Sequence, residues 1–321
     1  MRTALDSITS SVPNTQILQI ENKVPTFALI DQTEILNDAP SMTLCANKSV
    51  LSITGEQRLK FLQGQATCDT TEINEQQARF GAFCNLKGRV IANFLAYDDA
   101  QSTHLIMSED LVAPLIAHLT KFAVFFRVTL TENEDTVVLG EQTGSNDLSF
   151  MSVTSQDTSR TINVADNRRL HVTTADNAVK LLTNADHLSN ESNWNIKDIQ
   201  NRIAWTNTQT SEEFLPQLLG LEEIKGLSFS KGCYTGQEII ARMKYRGQLK
   251  RELQQVQIIT ENAAPLSEGT KIDAPEKKNV GQIITALASA NTYTALITLE
   301  NDYKDTEDFI INGAPVTLVI N

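Results

Sequence analysis

The sequence predicts an α+β fold, with two mixed α+β units followed by a small C-terminal β-barrel. Three observations carry this expectation. Between residues 49 and 130, apolar runs follow the order strand, helix, strand, strand, strand, helix, strand, a ferredoxin-like split arrangement with one extra strand. Leu170 to Val172, the helix-like run Ala175 to Leu182, and Trp194 to Trp205 have the look of parts of a second α+β unit. After Gly247 the helical spacing stops. Apolar or alternating runs then succeed one another between Gly, Asn and Asp turns, as barrel strands do.

Taken in chain order, residues 1–45 are weakly patterned and predict an extended arm with one or two strands. Residues 49–53 form an apolar strand, and Thr54-Gly55-Glu56-Gln57 after it has the form of a capping box opening a helix through Leu62. Strands over 80–84 and 90–97 are joined by the turn Asn85-Leu86-Lys87-Gly88, and 103–107 adds another. Helical spacing over 111–122 precedes a strand over 124–130. The stretch 141–165 is rich in Ser, Thr, Asp and Asn, which predicts loops. Barrel strands are expected over 253–259, 280–286, 292–299 and 316–320.

Composition narrows the functional classes. With 41% hydrophobic and 21% charged residues, the chain is neither disordered nor membrane-like. No apolar stretch approaches the roughly 18–20 residues of a membrane span, and residues 1–16 lack the apolar core of a secretory signal. A cytoplasmic protein without membrane partners is expected. A net charge of −12 argues against general nucleic-acid binding and makes any local basic patch stand out. Cys45, Cys68, Cys84 and Cys233 are scattered, as are His104, His118, His171 and His187, so no metal site is expected.

The densest chemistry lies in Lys231-Gly232-Cys233-Tyr234-Thr235-Gly236-Gln237-Glu238. Thr235 and Glu238 have capping-box spacing, which predicts a helix beginning near Gly236. Cys233 would then lie just upstream of a helix N-terminus, where free N–H groups and the helix dipole favour a thiolate, with Lys231 close by. The competing expectation is a small buried cysteine in a glycine-rich turn. Beyond the turn, Glu238 and Arg242, and Arg242 and Arg246, are four residues apart, with Ile239 and Met243 on the apolar side. Lys244, Arg246, Lys250 and Arg251 extend the basic run. Such a run is either a solvated face or a site for a polyanionic ligand tail or RNA phosphate.

These residues resemble the YgfZ family, the folate-binding, tRNA-modification-linked relatives of the glycine-cleavage T-protein. The resemblance rests on the octapeptide 231–238 and its continuation Ala241-Arg242-Met243-Lys244-Tyr245-Arg246-Gly247. Phe214-Leu215-Pro216-Gln217, Gly226-Leu227-Ser228-Phe229, Gln63-Gly64-Gln65-Ala66-Thr67 with Asp69, and Asn85-Leu86-Lys87-Gly88-Arg89 support it. It implies a three-domain T-protein-like ring around a central opening that binds tetrahydrofolate or another reduced folate. It divides the chain into 1–48 plus 136–200 as a first, folate-binding α+β domain, 49–135 plus 201–246 as a ferredoxin-like second domain carrying the octapeptide, and 247–321 as the barrel. It also implies a role in tRNA modification and in assembly or repair of iron–sulfur enzymes, including a tRNA thiomethyltransferase as partner.

By the same resemblance Cys233 is the functional thiol and Trp194 is the aromatic residue at the folate site. Asp198, Gln200, Lys231, Tyr234, Arg242 and Arg246 complete the expected cofactor-binding set. Two positions depart from the family pattern. Asp198-Ile199-Gln200 stands where an E-x-G pattern is usual, and a second aromatic expected near the start of the first well-defined strand is absent, with Lys48 in that neighbourhood. A third departure concerns the T-protein proper, which places an aspartate near the reactive amine of folate; the matching stretch here ends in Ala92-Asn93. Neither residue can act as a carboxylate base. The expected function is therefore a folate-binding accessory protein rather than a conventional aminomethyltransferase. The alternatives are a folate-dependent one-carbon enzyme and a tRNA- or protein-binding module that uses the basic segment 242–251.

Overall fold

The structure, a computed structural model, describes residues 2–18, 26–30, 39–144, 149–247, 249–260, 266–289 and 292–320. The chain opens with helix α1 (Arg2–Ser11) and the two-stranded ribbon β1 (Thr15–Leu18) and β2 (Thr26–Leu29). Strand β3 (Ser41–Leu44) leads into β4 (Lys48–Thr54), α2 (Arg58–Gln65), β5 (Arg79–Cys84), β6 (Val90–Asp98), β7 (Ser102–Ser108), α3 (Glu109–Phe126) and β8 (Thr129–Glu132). These last strands form a five-stranded sheet in the order β5-β6-β7-β4-β8, with every pairing antiparallel. Strands β7 and β8 consequently run parallel on either side of β4 and are joined by α3, a split β-α-β unit.

A second five-stranded sheet has the order β10-β11-β12-β9-β3, from β9 (Thr136–Gln142), β10 (Val153–Gln156), β11 (Ser159–Ala165) and β12 (Arg168–Thr174). Helices α4 (Ala175–Thr183) and α5 (Glu191–Gln200) follow. The two sheets face each other. Val50, Leu95 and Ile106 of one pack against Val138, Ile162, Leu170 and Val172 of the other. On the outer face of the first sheet, Leu51, Ile53 and Phe94 bury the stripe Leu111, Leu115, Leu119 and Ala123 of α3. All nine residues of β6 are buried, which explains why it is apolar apart from Asn93 and Asp98.

After α6 (Gln237–Tyr245), strands β13 (Arg251–Ile259), β14 (Lys271–Asp273), β15 (Gly281–Ser289), β16 (Thr292–Glu300), β17 (Asp308–Ile311) and β18 (Ala314–Ile320) close into a six-stranded barrel. The barrel has its own core around Val256, Ile283, Ile297 and Phe309. A further cluster joins it to the rest: Leu253, Ile284 and Leu296 of the barrel pack with Ala82, Val90, Ile199, Phe214, Leu219 and Ile240.

Several local expectations are corrected. Thr54 ends β4 instead of capping a helix, because Gly55 at φ 120° turns the chain and α2 begins only at Arg58, with no side-chain cap. The segment 124–126 belongs to α3, whose four-residue apolar stripe reaches Ala123. Arg127, in left-handed geometry, ends the helix and leaves only Thr129–Glu132 as strand. The start of the chain forms α1, held by Leu5 and Ile8 against Leu44, Val137 and Leu182. Within 141–165 lie strands β10 and β11, and the barrel gains the short strands β14 and β17.

Candidate functional site

The sequence motifs meet in one place. Thr67 Oγ1 donates to Gly226 O at 2.6 Å and accepts from Ala82 N at 2.9 Å, while Ser228 N donates to Thr67 O at 2.9 Å. The Lys231 ammonium is buried and donates to Ala66 O and Cys68 O, both at 2.7 Å. Thr235 Oγ1 donates to Gln65 Oε1 at 3.4 Å, and Gln217 Nε2 to Ile240 O at 3.0 Å. Arg89 donates to Glu213 O, and Val90 N to Phe214 O at 2.8 Å. Gly236, at φ 84°, lies so close to the 84–88 turn that a Cβ there would sit 2.6 Å from Asn85 O and 3.0 Å from Gly88 Cα.

This knot presents Cys233. It is exposed, whereas Cys45, Cys68 and Cys84 are buried. Burial pushes the Cys68 and Cys84 thiols up to about 12 and Cys45 well above its ordinary range. The predicted capping box does not form: α6 begins at Gln237, Gly236 occupies the cap position with no side-chain cap, and Thr235 points to Gln65 instead. Lys231 likewise directs its charge inward. Desolvation lowers its ammonium to about 8, and it lies 5.0 Å over the Tyr234 ring. Tyr234 is buried, and desolvation raises its hydroxyl above the usual tyrosine range.

The remaining expected ligand residues do not converge. Trp194 is buried with its ring against Gly140, where a Cβ would sit 2.5 Å from Cε3, and beneath the Arg168 guanidinium at 3.8 Å. Arg168 also donates to Trp194 O at 3.0 Å and pairs with Asp198 at 2.8 Å. Gln200 is exposed at the end of α5, Arg242 is exposed on α6, and Arg246 is exposed at the C-terminal cap of that helix. Of the expected set, only Asp198 lines the cleft of about 240 Å³ that opens between α5, the ends of β4 and β7, the strip 203–209 and barrel strand β15.

Sequence reasoning missed the main polar and aromatic groups of that cleft. Trp205 donates its indole N–H to Asp198 Oδ2 at 2.9 Å, and the Lys48 ammonium lies 4.6 Å over the Trp205 ring. A lysine opening the strand that carries Val50, Leu51 and Ile53, and an aromatic bordering the polar run Thr206-Asn207-Thr208-Gln209, were the available signals.

No protein-family model matches the chain. It is 31% identical over 278 residues, 81% of this chain and 85% of the relative, to the tRNA-modifying protein YgfZ of Aliivibrio fischeri. The chain belongs to the YgfZ family. The tRNA-modifying protein YgfZ of Photobacterium profundum is 28% identical over 93% of this chain and 91% of its own. The fold of this YgfZ-family chain is that of a solved glycine cleavage system aminomethyltransferase T from Bartonella henselae. The TM-score is 0.70 at 13% identity, covering 88% of this chain and 85% of that chain. In this chain Asn93 has a structural task. It is buried, its amide donates to Ala204 O at 2.6 Å, and its Oδ1 accepts from Thr206 N and Oγ1, both at 2.8 Å. Asp98 pairs with Arg58 and Asp99 with His104, so both nearby carboxylates are engaged as well.

Proposed function

We propose that this chain is a folate-binding accessory protein that supports tRNA modification and the assembly or repair of iron–sulfur enzymes, with Cys233 as its functional thiol. One observation carries the proposal: Cys233 is the exposed thiol among four, on a loop that several distant segments hold in place. A thiol kept accessible on a fastened backbone is suited to reaction or to contact with a partner, whereas a packing cysteine is buried. The relatives' printed description as tRNA-modifying proteins supports the cellular role.

The cleft fits the ring end of a reduced folate. Ile199, Ile203, Trp205 and Leu287 give it apolar and aromatic walls, and Asp198 and Lys48 give it polar ones. Its volume lies below the roughly 300–1,000 Å³ of cavities that enclose whole drug-sized ligands. The ring system would be held while the glutamyl tail extends to solvent. A bound reduced folate would supply a carrier for a one-carbon group. Conventional aminomethyl transfer is not supported, since Asn93 is fully occupied in holding residues 204–206.

Expression of Cys233→Ser in cells deleted for the gene tests the proposal. We expect the variant to fold and bind folate like the wild type but to leave tRNA modification and iron–sulfur enzyme activity unrestored. Full restoration by the serine variant would remove the thiol from the mechanism.

A further inference from the structure

Lys48 is 6% exposed, and it lies on the wall of the cleft at the first position of β4. A lysine whose side chain is this largely buried gives up part of its hydration, for which carboxylates or carbonyls normally substitute. Lys231, the other buried lysine, has two carbonyls. Among the described residues, Lys48 has neither a hydrogen bond nor an ion pair; it has the face of Trp205.

The neighbouring acids are already engaged. Glu191 accepts from Phe27 N at 2.8 Å and from Asn47 N at 3.0 Å. Asp198 is held by Arg168 and Trp205. Asp110 accepts from Thr208 N and Oγ1 at 2.9 and 2.7 Å and from Ser108 Oγ at 2.8 Å, and Glu268 accepts from Asn207. The cleft thus contains one cation whose donors are directed at no protein oxygen, beside an indole whose orientation Asp198 fixes.

We infer that Lys48 is the specificity-determining residue of this cleft, donating to an oxygen acceptor on a ligand whose ring lies against Trp205. The inference rests on the folate reading of the cleft. In a folate the acceptor is either the carbonyl of the pterin ring or a carboxylate of the tail, and the cleft volume favours the ring carbonyl. An ammonium placed in advance beside an aromatic wall lowers the ordering cost of binding and rejects ligands that cannot accept its hydrogen bond.

Calorimetry on the full chain under anaerobic conditions tests this with three probes: tetrahydrofolate, tetrahydropterin lacking the tail, and p-aminobenzoylglutamate lacking the ring. Wild type should bind tetrahydrofolate, and Lys48→Met should weaken it about ten- to a hundredfold, the value of a charged hydrogen bond. Lys48→Gln, a neutral donor, should fall between them and keeps the test readable if the methionine variant does not fold. Loss confined to tetrahydropterin supports the ring carbonyl, whereas loss confined to p-aminobenzoylglutamate overturns it in favour of a tail carboxylate. Tetrahydrofolate binding by folded Lys48→Met within twofold of wild type overturns the role of Lys48 and leaves the folate reading standing. Failure of wild type to bind any of the three overturns both.

Discussion

Burial lowers the Lys231 ammonium to about 8, while its hydrogens remain directed at Ala66 O and Cys68 O. In the unfolded chain the same group keeps its proton up to its ordinary value of 10.5. Between these values the unfolded state binds more protons than the folded state, so stability rises with pH across that window. Below about pH 8 both states are protonated, and the cost of the buried charge is present in full. We expect the unfolding free energy of wild type, measured against Lys231→Met, to grow by about 1–2 kcal/mol between roughly pH 7.5 and 9.5. A difference that stays flat or shrinks would show that Lys231 is not desolvated in this way. At residue scale, then, the lysine of the octapeptide is a fastener, and the cysteine two positions later is left exposed.

At the scale of elements, α6 and the 85–89 turn approach each other through Gly236 and Gly88. Gly236→Ala combines a positive φ with a backbone clash against Asn85 O and should cost about 2–3 kcal/mol or more. Gly232→Ala has nothing within 4 Å of the added Cβ and should stay within about 0.5 kcal/mol. Denaturant titrations of the two variants, read with the rate of Cys233 alkylation, check the contrast; equal losses would mean that the knot does not hold the loop. The central strands of the first sheet were legible from sequence because burial on both faces makes them largely apolar, as in β6. The end of α3 was not, since Val124, Phe125 and Phe126 read as strand, whereas in the helix only Phe126 turns inward, against Phe61, and Val124 and Phe125 are exposed. The motifs were visible because turn chemistry is local. The cleft was not, because Lys48, Asp198, Trp205 and Leu287 come from distant segments, and no sequence shows that Arg168 and Gly140 cover Trp194 while Lys48 lacks a partner oxygen.

For the whole molecule, 39 acidic against 27 basic residues leave a net negative field, against which unpaired surface cations stand out. Lys244 is paired with Glu222 and Arg251 with Glu300, but Arg242 on α6 and Arg246 at its C-terminal cap, both exposed, have no ion-pair partner among the described residues. If the basic segment touches RNA phosphates, two contacts should make tRNA association about tenfold weaker at 200 mM than at 50 mM salt. Charge reversal at both arginines should abolish it. Anisotropy titrations with wild type and the R242E/R246E variant check this; equal binding by both would move any RNA contact away from α6.

Asn93 also bears on how such a chain could change its chemistry. Its side chain supplies both a donor for Ala204 and an acceptor for Thr206, a combination that an ionised carboxylate cannot provide. An aspartate introduced there would set a buried negative charge against a carbonyl oxygen and release the strip that lines the cleft. Installing an acid at this position would therefore require coordinated change at 93 and along 204–206, so the asparagine works as a keystone of the fold it helps to hold.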